Sequence, residues 1–307
     1  MLLAAGAEID CKEKNGWAAL MCASNNGHEG VLQALLDAGA AVDSKNHHGQ
    51  TALMMASYSG HTGAVQVLLA AGAEIGCQEK NGLAALMCAA SHGHEGVMQA
   101  LLGAGAAVDL INDERMTALM MASHNRHTGA VRVLLEVGAA VDSKSENQLM
   151  ALMYASLQGH EGAVLALLEA GAAVDSIDDC EATALIRAGF NGHTGAVQVL
   201  LAAGAEIGCK DRNGVAALIS AALNGHEGVM QALLEAGAEV DLKDNLGQTA
   251  LLVAAEYGQA GAVRLLLGAR AAVNSPGQSG ATALRHRLRE FGCGARAAGG
   301  GRRVAAP

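Results

Sequence analysis

Histidines recur along this sequence at a fixed interval of 33 residues, and imidazole is a side chain that binds metals and transfers protons. The series comprises His28, His61, His94, His127, His160, His193 and His226. A zinc ion needs ligands within about 2.0–2.3 Å, whereas helices in adjacent layers pack about 8–10 Å apart. One histidine per layer cannot enclose an ion, so we predict no metal site. We interpret each histidine as the start of a helix, where its ring makes local hydrogen bonds.

The cysteines also fall at equivalent positions and do not form pairs suited to metal or disulfide chemistry. Cys11, Cys77 and Cys209 are separated by multiples of 33 residues. The same holds for Cys22 and Cys88, and the sequence contains no Cys-x-x-Cys motif. This pattern is typical of copied sequence with reduced thiols, and it predicts an intracellular, cytoplasmic location.

Motifs that organise catalysis are absent from the sequence. It contains no G-x-S-x-G motif, no Walker loop and no strand followed by a dinucleotide-binding glycine motif. The stretch "GAGAAV" at 103–108 resembles part of the last motif, but it connects two repeats. We therefore predict that the chain is not an enzyme and that it uses no cofactor and no small-molecule substrate.

Composition and charge bear on two further classes of partner. No apolar run approaches the ~18–20 residues of a membrane span, so we predict no membrane partner. The net charge is −10, and an acidic body argues against binding nucleic acid along the array. A basic stretch near the end, opposed by Glu290, contains Arg285, Arg287, Arg289, Arg296, Arg302 and Arg303. We interpret this stretch as solvated, with contact to an acidic surface as the alternative.

The 33-residue interval extends to the whole sequence. One unit reads "GQTALMMASYSGHTGAVQVLLAAGAEIGCQEKN". Thr51 is a good N-cap for a short helix that stops at Gly60. Val65, Leu68 and Leu69 mark a second helix that stops at Gly72. Neither helix reaches the ~12–15 residues that are stable alone, so each unit must bury its apolar face against its neighbours.

These motifs resemble the ankyrin repeat, through G-x-T-A-L-x-x-A, then G-H, then V-x-x-L-L-x-x-G-A-x-[VI]-D. The resemblance implies an all-α solenoid of stacked helix-turn-helix units with short β-turn or hairpin connectors. It covers residues 1–290, as an N-terminal half repeat, eight full repeats and a degenerate C-terminal repeat, followed by a disordered tail at 291–307. The family's usual T-P-L-H is T-A-L-M or A-A-L-M here, which leaves open the capping contacts of that proline and histidine.

A longer period lies on top of the first. "HTGAVQVLLAAGAEIGC" occurs at 61–77 and 193–209, and "GHEGVMQALL" occurs at 93–102 and 225–234. Tandem duplication is the simplest cause, so differences between copies are more informative than agreement. Glycine follows the His-Glu or His-Thr pair, as at Gly30 and Gly63, and Gly261 occupies the same position after Gln259 and Ala260. Because glycine weakens a helix, this position predicts a softer array than an idealised one.

The resemblance places the binding face on the connector tips and the exposed end of each first helix. The predicted protein-binding residues are Trp17, Asn25, His48, Gln50, Tyr58, Leu83, His92, Met116, His124, Leu149, Leu157, Phe190, Leu223 and Tyr257. Aromatic residues are rare in this chain, yet Trp17, Tyr58, Phe190 and Tyr257 fall in these positions, and aromatics are frequent interface hot spots. The alternative is that surface positions have drifted after duplication.

The three central connectors differ from the others. Arg115, Gln148 and Glu181 replace the turn glycine, which would strain or reshape a turn that needs a positive φ. The same connectors are acidic, with Asp113, Glu114, Glu146, Asp178 and Asp179. This cluster is either a patch for a basic partner or a region of relaxed constraint.

The sequence therefore predicts a non-enzymatic interaction module or scaffold that binds a protein partner on its concave face. The alternative is a fragment of a larger protein, such as a kinase or ubiquitin-ligase fusion, in which the array targets a catalytic activity encoded elsewhere.

Overall fold

A computed structural model describes residues 9–273, which form sixteen helices in eight pairs. The first helices of the pairs are α1 Ala19–Asn25, α3 Ala52–Ser59, α5 Ala85–His92, α7 Ala118–His124, α9 Ala151–Leu157, α11 Ala184–Asn191, α13 Ala217–Asn224 and α15 Ala250–Glu256. The second helices are α2 Glu29–Asp37, α4 Thr62–Ala70, α6 Glu95–Gly103, α8 Thr128–Glu136, α10 Glu161–Glu169, α12 Thr194–Ala202, α14 Glu227–Glu235 and α16 Ala260–Gly268.

The helices stack in two rows. Each first helix packs against the next first helix, each second helix against the next second helix, and the two helices of a pair against each other. The buried residues of the two rows are mainly alanine, leucine, methionine and valine, such as Leu53, Ala56 and Leu68. Within the described range the only bridge outside the helices joins Gln78 and Ala84. The predicted all-α solenoid is confirmed, and between the helices of residues 9–273 the chain forms turns and no extended sheet.

Helix ends follow the local sequence. Thr51 Oγ1 accepts a hydrogen bond from Met54 N at 3.4 Å, and Thr117, Thr183 and Thr249 cap their helices in the same way. In the alternate repeats Ala18, Ala84, Met150 and Ala216 stand at this position and provide no side-chain cap. Half of the first helices in the described range therefore lack a contact that typically contributes about 1 kcal/mol.

The connectors keep one turn shape whether or not the turn residue is glycine. Gly49 and Gly82 have φ of 82° and 78°, while Arg115, Gln148 and Glu181 have 58°, 57° and 61°. The substituted turns are thus strained but not reshaped, since a left-handed conformation costs a side-chain-bearing residue about 1–2 kcal/mol.

The repeated histidines join neighbouring repeats. No histidine at the start of a second helix caps its own helix. Instead His61 Nε2 lies 3.1 Å from Asn25 O, and His94 Nε2 lies 3.0 Å from Tyr58 O, at the end of the preceding first helix. His160, His193 and His226 repeat this contact, and Gln259 replaces it in the last pair with an Nε2 to Leu223 O bond of 3.2 Å. The prediction of local bonds was wrong, because these rings bond carbonyls 36 residues earlier, in the preceding repeat.

The glycines at the second position of these helices also have a packing role. A Cβ at Gly63 would overlap the carboxylate of Glu29 from the preceding repeat, and one at Gly129 would overlap that of Glu95. At Gly96 the contact atom is instead Thr62 Oγ1, 3.0 Å away. In the alternating His-Glu-Gly and His-Thr-Gly units, the glycine therefore contacts in turn a threonine or a glutamate of the preceding repeat. These glycines leave room for that side chain and do not merely soften the helix.

Aspartates form a second ladder between repeats. Asp43 Oδ1 accepts from Glu74 N at 3.0 Å, and Asp142 Oδ1 accepts from Ala173 N at 3.1 Å, each 31 residues ahead. Asp10, Asp109, Asp175 and Asp241 make the same contact. At two equivalent positions the residue is glycine, Gly76 and Gly208, and each is the last but one residue in a copy of the duplicated 17-residue stretch. The ladder is thus interrupted twice, at the same point of both copies.

Some predicted segments lie outside the described residues. They include the start of the N-terminal half repeat, the degenerate C-terminal repeat, the basic stretch from Arg285 to Arg303 and the tail at 291–307. None of the helices within residues 9–273 combines the length and the apolar character needed to traverse a bilayer.

We expect that Gly76→Asp and Gly208→Asp each stabilise the array. Neither glycine has a positive φ, and a Cβ at either site would meet nothing within 4 Å, so a side chain fits. Each new carboxylate would occupy the position from which Asp43, in its own repeat, accepts a hydrogen bond from a backbone amide. Such a bond contributes about 0.5–1.5 kcal/mol to the free energy of unfolding. Urea unfolding followed by circular dichroism should show a higher midpoint. Asp142→Ala is the matched control and should lower it, and an unchanged midpoint in both glycine variants would contradict the assignment.

Candidate functional site

Connector residues and the ends of the first helices lie on one face of the stack. Gln248 Nε2 donates to Glu256 Oε2 at 3.3 Å, joining the start of α15 to its end. Tyr154 Oη donates to Ser145 Oγ at 3.3 Å, joining the middle of α9 to its connector. We call this surface the connector face; it comprises the turn residues before each first helix and the exposed residues at that helix's C-terminal end.

The predicted binding residues occupy this face with different exposures. His48, Tyr58 and His92 are exposed. Those half-buried are Trp17, Asn25, Gln50, Leu83, Met116, His124, Leu157, Phe190, Leu223 and Tyr257. Among the four aromatics Tyr58 stands out with 44 % exposure. Leu149 is only 4 % exposed, so its prediction as a contact residue needs correction. It precedes the N-cap Met150 and packs into the core under its connector.

Aromatic contacts link consecutive repeats on this face. The rings of Tyr58 and His92 are 4.2 Å apart between centroids, and His92 stacks on His94 at 5.9 Å. Further along, His124 meets Tyr154 edge to face at 5.7 Å. Two predicted residues, Tyr58 and His92, are thereby brought into one cluster across adjacent repeats.

Polar side chains at the helix ends add hydrogen bonds between some neighbouring repeats. Ser59 Oγ donates to Asn25 Oδ1 at 3.1 Å, and Asn125 Nδ2 donates to Ser91 O at 3.1 Å. Asn224 Nδ2 donates to Phe190 O at 2.9 Å. Each of these bonds spans 34 residues, so it links the helix-end residue of one repeat to the residue after the equivalent position in the next repeat.

A buried ion pair under the face was missed by the sequence analysis. Arg187 Nε donates to Asp178 Oδ2 at 2.8 Å, its Nη2 contacts the same oxygen, and both side chains are buried. The equivalent residues in other repeats carry no charge, and Met55, Met121, Tyr154, Ser220 and Val253 among them are buried. The sequence did contain a signal for this pair, because Arg187 places a charge at a position that is buried in other repeats and follows an aspartate by nine residues. A buried charge requires a partner.

One histidine of the series has a distinct environment. In the preceding repeat, Arg126 replaces the glycine of the Gly-His pair and has φ of 69°. Its Nε donates a hydrogen bond to His160 Nδ1 at 3.0 Å. Since arginine only donates, Nδ1 of His160 is the acceptor and Nε2 carries the proton that bonds His124 O at 3.0 Å. Burial lowers the pKa of His160 to about 4, and the Arg126 charge acts in the same direction, against the bond to His124 O.

Reactive and metal-binding groups are not gathered in the described range. Within residues 9–273 no group of three or more His, Cys, Asp or Glu side chains is placed to hold a metal ion. The cysteines described there are free thiols. Burial raises the pKa of Cys88 to about 12, and burial together with Glu206 and Asp175 raises that of Cys209 to about 11. These two thiols are therefore protonated and unreactive near neutral pH.

The repeat geometry agrees with a comparison to protein families. The model for ankyrin repeats (3 copies) matches residues 1–79, 63–145, 86–178, 137–211 and 185–277. The chain belongs to the ankyrin-repeat family. Ankyrin repeats are generally protein-interaction modules, and the fold is typically non-catalytic.

Solved structures support the same fold. The crystal structure of the human ASB11 ankyrin repeat domain superposes with a TM-score of 0.67 at 24% sequence identity, covering 73% of this chain and 99% of that chain. At this identity the likeness concerns the ankyrin fold alone. A comparison with curated proteins found no match.

We expect the stability of the array to fall as pH decreases from about 6.5 to about 4, in part through His160. Its pKa is lower in the folded state than the ordinary value of 6.5, so the unfolded chain binds the proton more strongly across that window. Between about pH 6.5 and about pH 5, His160 alone should remove about 1.5 kcal/mol of unfolding free energy.

The matched variant is His160→Gln, because Gln259 makes the equivalent bond in the last pair. Urea unfolding at a series of pH values should show a shallower loss for the variant than for the native chain. Parallel curves for the two proteins would contradict the assignment to His160.

Proposed function

We propose that this chain binds a protein partner on the connector face, the face expected to be concave, and that it does so without chemistry or a cofactor of its own. The observation that carries the proposal is the contrast between what repeats and what varies. The histidine and aspartate ladders use the same residue types in most described repeats. The helix-end position on the connector face instead contains Asn25, Tyr58, Ser91, His124, Leu157, Phe190, Leu223 and Glu256.

The chemistry of this face supports protein recognition. Tyr58 and His92 form an exposed aromatic cluster, and Leu157 and Leu223 present half-buried apolar surface on the same helix ends. Aromatic side chains held in place by neighbouring repeats lose little conformational freedom on binding, which favours affinity. The proposal includes a reducing, cytoplasmic location, supported by the free buried thiol of Cys77.

The test compares two triple variants of the full chain. Tyr58→Ala, Leu157→Ala and Leu223→Ala remove apolar surface from the connector face. Val137→Ala, Leu165→Ala and Leu267→Ala remove exposed apolar side chains, 50%, 43% and 45% exposed, from the second-helix row. Affinity capture from native cells should lose bound protein by about tenfold with the first variant and retain it with the second, because hot spots cluster within an interface.

Far-ultraviolet circular dichroism and an unfolding curve check that both triple variants remain folded. Equal capture by the native chain and by both variants would overturn the assignment of the face. Loss of capture with the second-helix variant alone would place the binding surface on the opposite row.

A further inference from the structure

The connectors are aligned by a ladder of backbone hydrogen bonds. Asp113 N donates to Asn81 O at 3.1 Å, Glu146 N donates to Glu114 O at 2.9 Å, and Asp179 N donates to Asn147 O at 3.4 Å. Asp113, Glu146 and Asp179 therefore occupy the same position on three consecutive connectors, one above another. All three are exposed, and the bonds that align them use backbone atoms only.

This row of carboxylates has defined ends. The same connector position is Lys14, His47 and Lys80 in the preceding repeats and Arg212 in the following one. Arg212 Nη2 donates to Asp179 O, and its Nε lies 3.9 Å from Glu181 Oε1. The negative row is thus confined to three repeats and bounded by a base on each side.

Further exposed charges strengthen the row. Glu114 and Glu181 add exposed negative charges on the first and third of these connectors. Arg115, next to Glu114, adds one exposed positive charge. Asp178 differs, because it is buried and paired with Arg187. The exposed carboxylates are separated by a repeat step, which lets them act together on one extended ligand.

An apolar floor lies beside the acidic row. This floor consists of half-buried residues at the start or end of the first helices α7, α9, α11 and α13, namely Met116, Leu157, Phe190 and Leu223. The buried contact between Tyr154 and Ser145 packs α9 against its connector, which brings the helix and the connector together there. At the helix-end position the three consecutive apolar residues Leu157, Phe190 and Leu223 are flanked by His124 on one side and Glu256 on the other.

We propose that this central part of the connector face binds a basic segment of a partner protein, whose apolar side chains rest on the floor and whose lysines or arginines meet Asp113, Glu146 and Asp179. This inference rests on the proposed function and specifies the chemistry of the partner. Charge complementarity selects the occupant, since an apolar floor with a negative edge repels acidic segments and nucleic-acid phosphates. Screening by salt makes the interaction weaker at high ionic strength.

The test selects a phage-displayed library of random 16-residue peptides on the immobilised full chain. We expect the selected peptides to combine leucine or aromatic residues with an excess of lysine and arginine over aspartate and glutamate. A synthetic copy of the most frequent peptide is then titrated by fluorescence anisotropy against five forms of the full chain. Two of them are the Tyr58→Ala, Leu157→Ala, Leu223→Ala variant and an Arg285→Glu, Arg287→Glu, Arg289→Glu variant, and the other three are the following.

The first form is the native chain, and the second carries Asp113→Lys, Glu146→Lys and Asp179→Lys. The third is a matched control with Glu136→Lys, Glu169→Lys and Glu235→Lys, exposed positions on second helices. The second form should bind the peptide about tenfold more weakly than the native chain, because reversing the three charges replaces attraction by repulsion. The control variant should change the affinity by less than about twofold. Circular dichroism verifies the fold of each form.

The outcomes separate this inference from the proposed function. The selected peptides could lack an excess of basic residues and still lose binding in the Tyr58, Leu157 and Leu223 variant. That result would support the connector face as the binding surface and overturn the proposal of a basic partner segment. Peptides insensitive to that variant would overturn both. A more than threefold gain in peptide affinity after Arg285→Glu, Arg287→Glu and Arg289→Glu would show that this chain's own basic stretch occupies the floor, and would overturn a separate partner.

Discussion

The hydrogen bond from a histidine to the carbonyl one repeat earlier couples layers that have little stability of their own. Each helix here has seven to nine residues, fewer than an isolated helix needs. In most repeats a glycine leaves room for the ring, because a Cβ at Gly60 would come within 2.6 Å of the His94 ring. Gly60 also ends its helix in the left-handed conformation, with φ of 79°. One residue thus both terminates a helix and admits the side chain that holds the next layer.

This coupling leaves the connector face free to vary. The ladders run through the second-helix N-termini, the loop aspartates and the connector backbone, so the side chains at the helix ends can differ without loss of the stack. The exception at Arg126 is instructive, since the lost glycine is compensated by a guanidinium bond to His160. Variation and support are therefore separated in space, as an interaction array requires.

Much of the fold could be predicted because its signals are local. The apolar spacing of Val65, Leu68 and Leu69 gave the second helix, and Gly60 and Gly72 marked the stops, as observed. The candidate face was predicted less well. Leu149 is buried although Leu83, at the equivalent position, is only half-buried. Equivalent positions share a backbone site, but their exposure depends on the size of the neighbours in two adjacent repeats, which a periodic pattern does not specify.

By itself the sequence determined the 33-residue register, the helix pairs, their glycine stops and the family resemblance, because each depends on backbone propensities and apolar spacing within one repeat. Only the tertiary structure decided which atoms join the repeats. The His94 to Tyr58 bond spans 36 residues and the Asp43 to Glu74 bond spans 31. The Arg187 to Asp178 pair likewise appears only once helix and connector are packed. These contacts arise from stacking geometry, where a side chain bonds the nearest open polar group, and that group belongs to another layer or element.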